Sequence, residues 1–162
     1  MRIFEVDVSG EDLLSKNYVI CIADKNDTIR GFKFSNKLVQ DLSSRYGQGF
    51  YRYSKSKKGK SNFKVRLYCV IIYHLFKDIK IDEELQLKIC NDFDGRSSYI
   101  RESLLYFLGN NLNLITSDNI CFEKLPANSL AHKNAFLIRK NKKGFSDLCI
   151  DIKLTDFEKW LK

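Results

Sequence analysis

Two acidic strand ends stand out in this chain. Ile3-Phe4-Glu5-Val6-Asp7-Val8-Ser9-Gly10 opens it, and Leu85-Gln86-Leu87-Lys88-Ile89-Cys90-Asn91-Asp92-Phe93-Asp94-Gly95 lies near its middle. Each is a short strand-like run that ends with aspartate close to glycine. Carboxylates at the ends of neighbouring strands can hold Mg²⁺ or Mn²⁺, which activate water and stabilise a leaving oxygen in phosphodiester hydrolysis. Magnesium keeps several of its waters, so few protein ligands suffice. Asp7, Asp92 and Asp94 are therefore candidate metal ligands and catalytic residues. Glu5 shares a strand face with Asp7 at about 6–7 Å, two residues back, and Glu102 is a further acid. The same motifs also make turns. Asp7 and Ser9 can start one with Gly10, and Asp94-Gly95 can be a loop before a capped helix. Both readings stand at this point.

Charge placement is the second signal. The net charge is +8, and between Leu42 and Lys77 there are nine Lys/Arg and no Asp or Glu. They are Arg45, Arg52, Lys55, Lys57, Lys58, Lys60, Lys64, Arg66 and Lys77. Such a patch attracts polyanions, nucleic acid first and an acidic membrane second. Phe50, Tyr51 and Tyr53 lie among these cations. Bases can stack on Phe50, Tyr51 or Tyr53 while Arg52, Lys55, Lys57, Lys58 and Lys60 hold phosphates. Alternatively, the segment is a solvated loop with its aromatics tucked onto the core. Lys140, Lys142 and Lys143 offer a second contact point if the helix before them lies along the same groove.

Elements of regular structure must position these groups. Ile3–Val8 alternates Phe4, Val6 and Val8 on one face with Glu5 and Asp7 on the other, the period of a strand. Asn17–Asp24 is apolar on both faces and belongs at the centre of a covered sheet. Lys25-Asn26-Asp27 is a turn, and Thr28–Phe34 completes an antiparallel meander, since its connections are too short for crossovers. Ser35 or Asn36 caps a helix running to about Tyr46. Gly47–Ser61 reads as a loop, and a second helix is expected from Ser61 or Asn62 to about Lys77. Its stripe is Phe63, Leu67, Val70, Ile71 and His74, with His74 read as a satisfied core or boundary residue. A strand over Leu85–Asn91 and a helix from Ser97 or Ser98 to Gly109-Asn110 follow. Next come a strand over Asn119–Glu123 and a helix capped by Asn128 or Ser129. Leu148–Ile152 suggests another strand, and Thr155-Asp156-Phe157-Glu158 a capping box for a last helix. The order predicts an α/β fold, a mixed sheet flanked by helices. It occupies one domain over 1–162, with 145–162 as a C-terminal appendage.

Composition bounds the function classes. The apolar fraction is 44% with one proline, which argues for a packed core and against global disorder. The longest apolar runs, Tyr18–Ala23 and Leu67–Phe76, are too short to span a bilayer. Met1-Arg2-Ile3-Phe4-Glu5 does not read as a signal peptide. Cys21, Cys69, Cys90, Cys121 and Cys149 sit inside apolar runs without a C-x-x-C pair, which suggests reduced thiols in a cytoplasmic protein and argues against a zinc site built from them. Gly47-x-Gly49 with distant Gly59 fits no nucleotide-binding loop. No Ser-His-Asp or Cys-His arrangement is recognisable.

The order of elements resembles the ribonuclease H-like fold. Asp7-Val8-Ser9-Gly10 resembles the Asp-Glu-Ser-Gly signature that opens one family of that superfamily and, more distantly, the Asp-Glu opening of type 2 ribonuclease H. The resemblance covers residues 1 to 143. It implies three antiparallel strands followed by two parallel ones, a metal-ligating Asp7, and a second ligand at Asp92 or Asp94 on the neighbouring strand. It also implies a last ligand from the final helix, where Asn128-Ser129-Leu130-Ala131-His132-Lys133-Asn134-Ala135 offers only His132. The chain departs from the pattern at Val8, where the signature has Glu, in the final helix, which lacks Asp, and in the first helix, where Asp41 replaces the usual Glu.

The leading expectation is a nuclease that binds nucleic acid and cuts it with Mg²⁺ or Mn²⁺ held by Asp7, Asp92 or Asp94, and His132. The alternatives are a non-catalytic nucleic-acid-binding module with a degenerate acidic site, and a structural protein whose basic surface docks an acidic partner.

Overall fold

The computed structural model describes residues 1–93, 95–115 and 117–162. It is an α/β fold with a five-stranded mixed sheet between helices, in the order β3-β2-β1-β4-β5. The strands are β1 (Arg2–Ser9), β2 (Val19–Asp24), β3 (Ile29–Lys33), β4 (Leu85–Ile89) and β5 (Ile120–Phe122). The helices are α1 (Asn36–Gly47), α2 (Lys57–Lys77), α3 (Ser97–Leu104), α4 (Leu130–Arg139) and α5 (Leu154–Leu161). β1 pairs antiparallel with β2, which pairs antiparallel with β3; β4 runs parallel to β1, and β5 parallel to β4.

Alternation along β1 and β2 divides the core. Phe4, Val6, Ile20 and Ile22 enter the larger apolar cluster with α2. Val19 and Cys21 face the other way, against Ala135 and Ile138 of α4. All six residues of β2 are buried, as expected of a strand apolar on both faces and covered by helices on both. α2 is buried nearly all round from Leu67 to Ile72, because the sheet, α3 and α5 all pack against it. Past α3 the chain widens into a π-helical turn, Leu105–Asn110. Phe107 of that turn meets Trp160 of α5 edge-on at 5.0 Å. Phe157 and Leu161 of α5 are fully buried in the larger cluster.

Several elements differ from expectation, each for a local reason. α2 starts at Lys57, not at Ser61 or Asn62, because the Ser56 hydroxyl accepts from the Gly59 amide at 3.0 Å and caps the helix. Gly59 reads as a loop residue in sequence but is needed inside the helix: a Cβ there would collide with the carbonyl and hydroxyl oxygens of Ser54. Lys57, Lys58 and Lys60 therefore stand on the first helical turn. Leu148–Ile152 forms no named strand; it makes one parallel bridge, Gly31 to Cys149. α5 is capped at Lys153, whose amide donates to the Asp156 carboxylate at 2.9 Å, and not at Thr155. His74 is half-buried, a boundary position as expected, but its buried Nε2 has no hydrogen-bond partner among the described residues, so it is not a satisfied histidine. Burial holds its pKa below the ordinary value. No helix among the described residues is long and apolar enough to cross a membrane.

Candidate metal centre

The parallel pairing of β1 with β4 brings the two acidic strand ends together. Val6 is opposite Ile89 in the register, and the Cys90 amide donates to the Val6 carbonyl at 3.0 Å. Asp7 and Cys90 thus leave the sheet side by side, and Asp92 follows two residues on. One ligand atom from each of Asp7, Cys90 and Asp92 lies within 4.8 Å of the other two. Asp7 is 6% exposed; Asp92 is an exposed residue whose carboxyl group is half-buried against Cys90. Asp94 lies outside the described residues.

Asp7 is held at both oxygens. Its Oδ1 accepts from the Val8 amide at 2.8 Å, and its Oδ2 meets His132 Nδ1 at 2.8 Å. His132 reaches it because the Ser129 hydroxyl caps α4 by accepting the His132 amide, placing that side chain over the end of β1. The same hydroxyl donates to Glu5 Oε1 at 2.8 Å. Glu5 therefore fastens the start of α4 and is one step removed from the cluster. A carboxylate can only accept, so His132 Nδ1 is the donor in this contact. The His132 side chain is 54% exposed.

Burial raises the pKa of Asp92 above the ordinary carboxylate range. The thiol of Cys90, which donates to Asp92 Oδ2, opposes that shift, the neighbouring Asp7 carboxylate adds to it, and His132 opposes it. Burial also pushes the Cys90 thiol far up, and its hydrogen bond to Asp92 and the charge of Asp7 act in the same direction. Cys90 had no signal in sequence beyond its place at the end of an apolar strand; only the β1–β4 register reveals it. Beside Asp92 a groove of about 310 Å³ is lined by Tyr18, Asp12, Lys64 and Phe93. Lys64 reaches Asp12 across it at 2.7 Å.

The donor set bears on which ion fits. Two carboxylates suit Mg²⁺ or Mn²⁺, and a thiol beside them suits a softer ion. Mg²⁺ and Mn²⁺ both prefer oxygen and would engage the two carboxylates, while the Cys90 thiol, its pKa raised by burial, stays a donor to Asp92.

The cationic segment before and within α2 leaves one of its three aromatics, Phe50, in solvent at 57% exposure and folds the two tyrosines inward. Tyr51 is 5% exposed; its ring stacks on Phe63 at 5.7 Å, and its hydroxyl donates to Glu158 at 2.9 Å. It presents no face to a base. Tyr53 is half-buried, tilted on Phe63 at 5.9 Å, with the Arg52 guanidinium 5.6 Å from its ring centre. Arg52, Lys55, Lys57, Lys58 and Lys60 are all exposed. Lys142 and Lys143 follow α4, which packs on the opposite side of the sheet from α2, so the two cationic regions do not share one groove.

The fold and site define an α/β protein with a five-stranded mixed sheet and a carboxylate–thiol cluster at the ends of its two central parallel strands. No family model, curated protein or solved structure matches this chain.

Proposed function

We propose that this protein is a ribonuclease H-like, metal-dependent phosphodiesterase acting on nucleic acid. The observation that carries this reading is the convergence of Asp7 and Asp92, 85 positions apart in sequence, to within 4.8 Å at adjacent strand ends. An antiparallel meander joined to two parallel strands, with the acids on the central pair, supports the fold part of it. A net charge of +8 supports a polyanionic substrate. Five free cysteines favour a reducing, cytoplasmic setting.

A Mg²⁺ or Mn²⁺ ion bound by Asp7 and Asp92 would supply Lewis-acid polarisation of a phosphoryl oxygen and a water of lowered pKa. The chain's own residues do the rest. The Val8 amide and His132 orient the Asp7 carboxylate, so that it need not reorganise on binding. With its Nδ1 proton donated to Asp7, His132 keeps Nε2 free to take a proton from an attacking water. The raised pKa of Asp92 reflects a carboxylate whose charge is incompletely solvated, an arrangement that a cation relieves. A non-catalytic binding module is the second reading. It is favoured by the Cys90 thiol, which already engages Asp92, and by the small number of carboxylates in the cluster.

Cleavage of end-labelled single-stranded, duplex and RNA–DNA hybrid oligonucleotides with Mg²⁺ and with Mn²⁺ tests the proposal. Cleavage is expected with at least one substrate and to vanish in Asp7→Asn, with oligonucleotide binding retained. Binding without cleavage on every substrate and with both ions selects the non-catalytic module.

A further inference from the structure

From Pro126 to Ser146 the chain has five Lys/Arg (Lys133, Arg139, Lys140, Lys142, Lys143) and no Asp or Glu. This run contains α4, whose first turn holds His132 against Asp7. His132, Phe136 and Lys140 are spaced four apart, which puts them on one helical stripe, and all three are exposed. Phe136 is 48% exposed and belongs to neither apolar cluster. Its neighbours explain the difference: Ala135 and Ile138 are the residues α4 presents to the sheet. The Lys140 ammonium sits 5.6 Å from the Phe136 ring centre.

The stripe ends in a groove of about 620 Å³ lined by Asn17, Lys33, Asn141, Lys142 and Lys143, with no acidic residue among the described residues of its walls. The Lys33 ammonium is fixed there, donating to the carbonyls of Ile138 and Arg139 at 3.2 Å each and to the Asn141 side chain. In the sheet register Asp7 is opposite Cys21, and Cys21 opposite Gly31, two residues before Lys33. Acidic cluster, stripe and groove therefore lie on the same side of the sheet, at the same end. From His132 to Lys140 is about 12 Å along a helix axis, the rise of roughly three or four stacked nucleotides.

We propose that the exposed stripe of α4 and the groove beyond it bind single-stranded nucleic acid, with one base stacked on Phe136 and the backbone phosphates taken by Lys140, Lys142 and Lys143. An accessible aromatic flanked by lysines and without acids is how proteins track a single strand, since every base has a face to stack and every linkage a charge. A base paired within a duplex has its faces covered by its own neighbours and cannot use Phe136. The inference rests on the nucleic-acid reading above and adds a substrate class to it: single-stranded, or unpaired for several nucleotides beside the scissile bond.

Fluorescence anisotropy in EDTA, with a labelled single-stranded oligonucleotide and the duplex of the same sequence, tests it without any need for cleavage. The single strand is expected to bind tighter. Phe136→Ala is expected to weaken it about 5- to 100-fold, the loss of one stacked base, and Phe136→Trp to retain it. The triple variant Lys140→Gln, Lys142→Gln, Lys143→Gln is expected to lower the slope of log affinity against log salt by about 2. Mn²⁺ affinity, read separately by calorimetry, should be the same in Phe136→Ala and wild type. Equal binding of duplex and single strand, or unchanged binding in Phe136→Ala, overturns this inference and leaves the metal centre standing. Failure of wild type to bind any oligonucleotide overturns it together with the nucleic-acid reading. Loss of cleavage in Asp7→Asn with single-strand binding intact separates the two in the other direction.

Discussion

Two lysine-rich segments, at the start of α2 and the end of α4, look alike in sequence and differ in their surroundings. Lys57, Lys58 and Lys60 stand at a helix N-terminus with no acid in the first turn, where their charge opposes the helix dipole. Arg139, Lys140, Lys142 and Lys143 stand at a helix C-terminus, where charge and dipole agree. The aromatics differ in placement. Tyr51 and Tyr53 beside the first segment pack on Phe63 and its one solvent-facing ring, Phe50, lies outside any helix, whereas Phe136 stands exposed on α4 itself, on the stripe with His132. A run of lysines with aromatics interleaved therefore does not identify a stacking surface. What matters is whether the helix face that carries the ring is needed by the core.

Affinity and stability measurements on paired variants test that comparison. The triple Gln variant at Lys57, Lys58 and Lys60 should change single-strand affinity by less than half as much, in free-energy terms, as the triple at Lys140, Lys142 and Lys143. Anisotropy at several salt concentrations measures both, and equal losses would erase the distinction between the segments. The same pair should move stability in opposite directions. Removing three cations from the start of α2 should stabilise by about 0.5–1 kcal/mol in denaturant titration, and removing three from the end of α4 should destabilise.

Tyr51→Phe should cost about 1–2 kcal/mol in urea unfolding, since Glu158 loses a charge-assisted hydrogen bond. Oligonucleotide affinity should not change. A large drop in affinity with no change in stability would restore Tyr51 to the binding surface.

The smallest effect concerns the acidic cluster itself. Asp92 has a raised pKa in the folded chain, mainly from burial. Between its unfolded and folded pKa values the folded state holds more protons, so its contribution to stability falls as pH rises through that window. Below the window the group is protonated in both states and contributes no pH dependence. Asp92→Asn should therefore gain in Tm relative to wild type as pH rises from about 3 to 7. A difference that is flat, or that shrinks with rising pH, would contradict a strained carboxylate at this position.

Much of the fold was legible in the sequence. The two-residue alternation of Phe4, Val6 and Val8 against Glu5 and Asp7, the doubly apolar run within Asn17–Asp24 and the caps at Ser35 or Asn36 and at Asn128 or Ser129 all carry their own local signals. The start of α2 did not, because Gly59 suggests a loop until Ser54 is seen packed against it. Of the candidate site residues, Asp7 and Asp92 were visible as acids at strand ends, while Cys90 was hidden in an apolar run.

The sequence by itself determined which residues are acidic, basic or apolar and the periodicity that sorts them onto faces, because those properties depend only on local order. The tertiary structure decided which faces meet. The parallel register of β1 with β4 sets Asp7 beside Cys90 and Asp92, and the packing of α4 on β1, β2 and β3 carries His132 to Asp7 and leaves Phe136 in solvent. Contacts between residues 85 or 125 positions apart depend on how whole elements pack, which no short stretch of sequence encodes.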